Sequence, residues 1–340
     1  MNTQRVTRRN FLRIVGASSV VGLTALALGR NERTAASPRT VTDTRLLMGT
    51  IVNLALVTDD VQAGQAAINA CFDQMSDLEA VFSRYQPASQ LSRLNRDGSI
   101  AAADSQLLHV LREAKRISVL TDGAFDITVK PLVDLYQGSM DAGLGLPSEA
   151  SIAFAMKRIG HQYLEIANQT VSFAQPGMSI TLDGIAKGYI VDEGTRILRE
   201  HGYHNVLVEA GGDLLASGTK AQNTPWRVGL QSPRGDHADL LLTFNVTEQA
   251  AATSGDYMQP FSDTLAAHHI LDPRTGISSP ELASATVLAS SGMEADALAT
   301  ALMVMGPERG LALIEHTPAC EAYLVTKDLQ VLHSSGLSVT

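Results

Sequence analysis

Two segments of this sequence combine residue types that could bind a phosphate and a metal ion. The segment 181–189, TLDGIAKGY, places glycines and Lys187 where a strand is expected to lead into a helix. Free N–H groups at the start of a helix and a lysine ammonium both favour an anion such as phosphate. The spacing is neither that of a P-loop nor GxGxxG. An ordinary glycine turn with a solvated lysine is therefore an equally good interpretation.

The second segment, 295–301, could supply metal ligands. Asp296 and Thr300 are four residues apart in a predicted helix, so their side chains project from the same face. A carboxylate and a hydroxyl, completed by carbonyl groups, water and substrate phosphate, suit Mg²⁺. The alternative is that Asp296 stabilises the helix N-terminus and Thr300 only packs.

A histidine could act as a base in the segment 268–276, HHILDPRTG, where His269 precedes a proline-initiated turn. Imidazole titrates near neutral pH and can bind a ligand or take a proton. The chain has nine histidines, so a structural or solvent-exposed role is the default for any one of them. A hydrolase built on Ser254, Asp256 and His269 is conceivable, but the G-x-S-x-G motif is missing from the sequence.

The overall composition is that of a globular protein, with 45% hydrophobic and 18% charged residues in 340. Residues 1–36 contain six arginines and one acid, and the remaining chain has 20 basic and 34 acidic residues, a net charge of -14. An acidic chain without a Lys/Arg-rich stretch after residue 40 is a poor candidate for binding nucleic acid. The two cysteines, Cys71 and Cys320, allow a disulfide but do not require one.

The N-terminus has the organisation of a secretory signal peptide. Residues 1–13 are basic, residues 14–29 are apolar, and small residues follow up to Ala36. The apolar run is short for a membrane span, which needs about 20 residues, so a permanent anchor is the weaker alternative. Arg8 and Arg9, followed by Asn, Phe and Leu, resemble the twin-arginine export motif. We predict a twin-arginine signal peptide at 1–36, a linker at 37–44, a catalytic domain at 45–340 and a periplasmic location.

Hydrophobic periodicity predicts an α+β fold in which antiparallel sheets are backed by helices, as one compact catalytic unit. Strands and helices alternate without a regular βα repeat, whereas 84–98 has the composition of turns. The predicted helices are 62–83, 104–121, 146–157, 186–201, 293–305 and 307–316. The predicted strands are 46–57, two within 169–182, 205–210, 226–231, 239–246, 285–289, 321–326 and 329–333.

Eight ordered motifs between residues 45 and 306 resemble the ApbE family of FAD:protein FMN transferases. The motifs are MGT at 48–50, FSRY at 82–85 with SQLSRLN at 89–95, GAFD at 123–126 with PL at 131–132, GIAKGY at 184–189, GGD at 211–213, TSGDY at 253–257, HILDPRTG at 269–276 and ADALATA at 295–301. The resemblance implies a T-fold-like architecture and a Mg²⁺-dependent cleavage of the FAD pyrophosphate. FMN is then joined by a phosphoester to a Thr or Ser of an exported or membrane partner protein, and AMP is released.

The resemblance also implies roles for individual residues. The FAD contacts of the family fall here on Met48, Tyr85, Ala124, Phe125, Asp126, Thr181, Lys187 and His269. The Mg²⁺ ligands fall on Asp296, Thr300 and the carbonyl of Gly184, and His269 and Asp296 are the candidates for the base that activates the acceptor hydroxyl. Many members have an aspartate where Thr181 stands, whereas this chain has Asp183 two positions later.

Three other functions fit the same sequence. The chain could hold FAD as a carrier, cleave it to FMN and AMP as a pyrophosphatase, or act without catalysis as an assembly factor for a periplasmic reductase. With its leader, the chain is also similar to the NosX accessory proteins of nitrous-oxide respiration.

Overall fold

The computed structural model describes residues 38–47, 49–234 and 240–337. The predicted signal peptide and the predicted FAD contact at Met48 lie outside these residues. The first half of the chain contains β1 (Arg39–Leu47), β2 (Thr50–Thr58), α1 (Val61–Phe82), α2 (Gln90–Asp97), β3 (Ser99–Ile100), α3 (Ser105–Leu120), α4 (Lys130–Asp141), α5 (Glu149–Met156), β4 (Leu164–Ala167) and β5 (Thr170–Phe173). The second half contains α6 (Ala186–Glu200), β6 (Val206–Ala210), β7 (Asp213–Ser217), β8 (Trp226–Gln231), β9 (Leu240–Val246), β10 (Gln249–Gly255), β11 (Leu282–Ala289), α7 (Gly292–Glu315), β12 (Glu321–Thr326) and β13 (Val331–His333).

An eight-stranded antiparallel sheet, in the order β1-β2-β6-β7-β10-β11-β12-β13, organises the molecule. Alternate residues of its strands face opposite sides. On one side they pack with α1, α6 and α7 in the main core. On the other side, Leu207, Ala216 and Leu288 pack under Trp226 of the two-stranded sheet β8-β9. Because both faces are covered, β11 is buried along its whole length. The predicted α+β class, with antiparallel sheets backed by helices, is confirmed.

Helices α6 and α7 touch backbone to backbone. A Cβ atom added to Gly188 would lie 2.1 Å from the carbonyl oxygen of Gly292. Asp192 of α6 holds the start of α7, because its carboxylate accepts bonds from the Ser291 hydroxyl (2.9 Å) and from the N–H groups of Gly292 (2.6 Å) and Met293 (2.9 Å). This contact fixes the first turns of α7 against the start of α6.

Hydrogen bonds from α2 and its N-cap residue hold two loops. The Asn95 side chain donates to the carbonyl of Ile180 (2.9 Å) and accepts from its N–H (2.8 Å). The hydroxyls of Ser89 and Ser92 both donate to the carbonyl of Ser83, at 2.5 and 3.2 Å. The turn after α1 is therefore tied through α2 to the segment that leads into α6.

Several predicted boundaries are wrong. β1 begins at Arg39, inside the predicted linker 37–44, and α2 and α4 occupy segments that were not predicted as helices. The hairpin predicted within 169–182 is formed instead by 164–167 and 170–173. The predicted interruption between the helices 293–305 and 307–316 is confirmed. Within α7, Gly306 adopts a non-helical φ of 76° immediately before Pro307.

Within the described ranges, α7 is the one helix long and apolar enough to cross a membrane. Its most apolar window is 56% buried inside the molecule. Packing against β10, β11 and α6 accounts for its composition.

Candidate active site at the start of α6

Two of the three predicted metal ligands are neighbours in the structure. A Cβ atom added to Gly184 would lie 2.7 Å from the hydroxyl oxygen of Thr300. The Ser254 hydroxyl, at the end of β10, lies 3.1 Å from the same oxygen. The glycine-rich loop before α6 therefore meets α7 at Thr300, and Ser254 is a member of this cluster that sequence reasoning considered only for a hydrolase.

Asp296 lies one helical turn before Thr300 and is 4% exposed. Its Oδ2 atom accepts a bond from the N–H of Gly188 at 3.1 Å. Burial, followed by the nearby charge of Asp213, raises the pKa of Asp296 well above its usual range, while Lys187 acts in the opposite direction. A cation at this carboxylate would favour its ionised form.

Lys187 is paired with a buried acid. Its Nζ atom lies 2.5 Å from Oδ2 of Asp213, whose side chain is 1% exposed. Burial raises the pKa of Asp213, and the ammonium of Lys187 opposes that effect. Both features that predicted an anion site are thus already used inside the protein, since Asp213 holds the ammonium and Asp296 accepts from the Gly188 N–H.

Glu209 adds a third buried acid that the sequence analysis missed. Its carboxylate accepts from the N–H of Gly212 at 2.8 Å and from the side chain of Asn53. Burial raises its pKa to about 7. Only its position two residues before the GGD motif could have drawn attention to it. Glu209, Asp213 and Asp296 are thus three buried acids that all lie within the electrostatic reach of one ammonium, that of Lys187.

These residues fit a hard divalent cation. A buried carboxylate, a hydroxyl and an adjacent glycine backbone offer the oxygen donors that Mg²⁺ prefers. Among the described residues, no group of three or more His, Cys, Asp or Glu side chains has the arrangement of a metal site. The predicted set differs from such a group because it contains one carboxylate, with the remaining donors from a hydroxyl and the backbone.

Comparison with known proteins identifies the family. The model of the ApbE family matches residues 48–324. The chain belongs to the ApbE family. The FAD:protein FMN transferase of Vibrio cholerae is 35% identical over 277 residues, which cover 79% of this chain and 82% of that protein. The enzyme of the same name from Salmonella typhimurium is 30% identical over 292 residues, 83% of each chain.

Solved ApbE structures share the fold. The flavin transferase ApbE from Vibrio cholerae superposes with a TM-score of 0.75 at 32% identity and covers 88% of this chain and 98% of its own. The ApbE protein from Thermotoga maritima gives a TM-score of 0.80 at 29% identity, covering 87% and 97%. The predicted family, the T-fold-like ApbE architecture and the predicted enzyme class, a transferase, are confirmed.

In this ApbE protein, Thr181 supports the loop that carries Asp183. The Thr181 N–H donates to the carbonyl of Ile127 (2.8 Å), and its hydroxyl accepts from the N–H of Asp183 (3.3 Å). The Asp183 carboxylate extends outward to Arg84, with Nη2 and Oδ2 3.0 Å apart. Tyr85 follows with 65% of its surface exposed. The FSRY motif and the glycine-rich loop therefore meet at one edge of the site.

The last three residues of the GAFD motif are buried. Ala124, Phe125 and Asp126 are 2%, 3% and 6% exposed. One carboxylate oxygen of Asp126 accepts from the N–H (2.8 Å) and hydroxyl (2.7 Å) of Thr128, and the other accepts from the N–H of His161 (2.8 Å). These bonds hold the backbone of the motif in place, and the FAD contacts at these three residues stay a prediction.

Of the two adjacent histidines, the structure assigns His268 to the interior. His268 is fully buried, and its backbone N–H donates to the Ser278 hydroxyl at 2.9 Å. Burial, together with the charge of Lys327, lowers the pKa of its imidazole to about 4. His269 is partly buried, and its backbone N–H donates to the carbonyl of Gln259 at 3.0 Å. The catalytic role of His269 stays a prediction.

Proposed function

We propose that this protein cleaves FAD in a Mg²⁺-dependent reaction and transfers FMN to a threonine or serine hydroxyl of a partner protein. The hydroxyl oxygen forms a bond to the phosphorus of the FMN half. The pyrophosphate bond to the adenylate half breaks, AMP leaves with that electron pair, and the hydroxyl proton passes to a base. His269 and Asp296 are the candidates for this base.

The observation that carries the proposal is the cluster of Gly184, Thr300 and Asp296 beside an excess of buried acids. A diphosphate would bring further negative charge to a place where Lys187 already balances Asp213. Charges of the same sign repel each other strongly in a poorly solvated environment. A cation at Asp296 would remove this repulsion, which supports metal dependence.

The residues of this chain supply the position and the electrostatic environment. Asp296, Thr300 and the Gly184 carbonyl would hold Mg²⁺, which supplies charge neutralisation and polarisation of phosphate oxygens when bound. Asp213 holds the ammonium of Lys187 in place, and the α6–α7 contact keeps Asp296 beside the glycine-rich loop. Phosphoryl transfer depends chiefly on such positioning and electrostatics.

Asp296→Ala tests the site. We expect the rate of Mg²⁺-dependent FMN transfer to fall about 100-fold or more, because the one carboxylate among the proposed ligands is lost. Mass spectrometry of a threonine-containing acceptor incubated with FAD and Mg²⁺ measures the transfer, and Asp97→Asn, at an exposed position on α2, is the control. Thermal unfolding checks that Asp296→Ala folds. Undiminished flavinylation by the folded variant would contradict the proposed site.

The same assay separates the other functions. FMN and AMP formed with an unmodified acceptor would indicate a pyrophosphatase, and unconsumed FAD would indicate a carrier or an assembly factor. The family membership and the names of the relatives favour the transferase.

We further propose that the protein acts in the periplasm after twin-arginine export. Its acceptor would then be an exported protein or a membrane protein with an exposed periplasmic segment. The proposal rests on the order of basic, apolar and small residues at 1–36.

A further inference from the structure

Arg84 and Asp183 form an ion pair that the proposed reaction does not use. Nη2 of Arg84 lies 3.0 Å from Oδ2 of Asp183 and donates to the Tyr85 hydroxyl at 2.7 Å. Asp183 immediately precedes Gly184, whose added Cβ would touch Thr300. The pair therefore borders the proposed metal site.

Both halves of this pair are anchored by α2. The turn that carries Arg84 is tied by Ser89 and Ser92 through the carbonyl of Ser83. The loop that carries Asp183 is held by Asn95 through Ile180. A recognition element needs such preorganisation, because ordering flexible groups on binding lowers affinity.

Stability does not account for the pair. The Asp183 side chain is 51% exposed, and an ion pair in contact with solvent contributes little to folding. The buried Nε atom of Arg84 has no hydrogen-bond partner within the described part of the chain, which is a cost rather than a gain. The guanidinium carbon lies 4.9 Å from the ring centroid of the exposed Tyr85. The guanidinium, which donates, and the Asp183 carboxylate, which accepts, therefore lie next to each other beside an aromatic ring.

We propose that Arg84 and Asp183 bind the edge of one ring system of FAD, an edge on which an N–H donor stands next to an acceptor. The Asp183 carboxylate accepts from the ring N–H, and the Arg84 guanidinium donates to the neighbouring acceptor. The pyrimidine part of the isoalloxazine and the amino edge of adenine both carry this pattern. The inference rests on the proposed function, in which FAD is the substrate.

Equilibrium binding of FMN and of AMP, measured separately with EDTA present, tests the inference and identifies the ring. We expect Arg84→Ala and Asp183→Asn to weaken the binding of the same nucleotide about 10-fold or more, because a hydrogen bond to a charged group is lost. The affinity for the other nucleotide should not change. Selective loss of FMN binding assigns the pair to the flavin, and selective loss of AMP binding assigns it to adenine. Equal weakening of both ligands, or no weakening of either, would overturn the inference.

The exchanged variant Arg84→Asp/Asp183→Arg separates recognition from structure. It restores an ion pair but exchanges donor and acceptor, so binding should stay weak. Recovery of wild-type affinity would show that the pair acts only structurally. Arg96→Asp/Asp97→Arg, at an exposed pair 2.9 Å apart on α2, is the matched control and should bind both nucleotides normally.

Failure of this inference is distinct from failure of the proposed function. If the wild-type protein flavinylates an acceptor and the variants bind both nucleotides normally, only the role of the pair is lost. If the wild-type protein transfers no FMN while the variants selectively lose one nucleotide, the pair still binds a ring and the transferase proposal fails.

Discussion

At the scale of single residues, the carboxylate and hydroxyl on α7 were predictable because their spacing follows from helical geometry. The sequence places Asp296 and Thr300 one turn apart. It does not reveal that Asp213 pairs with Lys187 from 26 positions away or that Asp296 accepts from the Gly188 N–H. These contacts depend on how β7, α6 and α7 meet, and local patterns contain no information about them.

Gly184→Ala should weaken the proposed metal site without unfolding the protein. The new methyl group would lie 2.7 Å from the Thr300 hydroxyl, which must then move. We expect the Mg²⁺ concentration for half-maximal transfer to rise about 10-fold, because an oxygen donor is displaced. Mg²⁺ titration of the transfer rate and direct Mn²⁺ binding are the measurements. Partial recovery in Gly184→Ala/Thr300→Ser would support the steric cause, and an unchanged Mg²⁺ requirement would contradict it.

Glu209 should make stability depend on pH. Burial raises its pKa from 4.5 to about 7 in the folded protein. Between these values the folded chain retains a proton that the unfolded chain releases, so the free energy of unfolding falls as the pH rises through that window. Between pH 5 and pH 8 the wild-type protein should lose on the order of 2 kcal/mol relative to Glu209→Gln. Urea unfolding of both proteins at the two pH values is the measurement, and equal losses would argue against the shifted pKa.

At the scale of elements, predictability followed the strength of the periodic pattern. The apolar stripe of α1 predicted a helix at 62–83, and Val61–Phe82 is helical. Helix α2 is eight residues long with only Leu91 and Leu94 buried, and its place is set by bonds from Asn95 and the two serines to distant backbone groups. Composition alone therefore indicated a turn there.

The contact between α6 and α7 predicts a large effect of Gly188→Ala. Its Cβ would lie 2.1 Å from a backbone oxygen that cannot move unless the helices separate. We expect the free energy of unfolding to fall by about 3 kcal/mol, as for severe overpacking. Gly138→Ala on α4 is the control, since a Cβ there has nothing within 4 Å, and it should stabilise by up to about 1 kcal/mol. Similar unfolding curves for the two variants would contradict the account of this contact.

At the scale of the whole molecule, the sequence predicted the fold class and the family, and it misplaced the boundary of the domain. β1 starts at Arg39 and pairs with β2 over its full length. Its polar residues resemble a linker because it is the edge strand of the large sheet, with alternate residues exposed. A strand exposed in this way lacks the apolar run that marks interior strands such as β11.

Replacement of Arg8 and Arg9 by lysine should keep the precursor in the cytoplasm. The twin-arginine route reads the paired arginines rather than their charge alone. The measurement is fractionation of cells that express the wild-type protein or the variant, with immunoblotting for the precursor and the processed chain. Normal appearance of the variant in the periplasm would contradict the proposed route.

Both thiols of this chain, Cys71 and Cys320, are buried and unpaired. Burial raises the pKa of each to about 12, which disfavours the thiolate that disulfide exchange requires while the domain is folded. Maturation of the described domain therefore needs no oxidant, and its native state can be completed in a reducing compartment. Under the proposed export, the folded domain would not depend on the disulfide catalysts of the oxidising compartment that it enters.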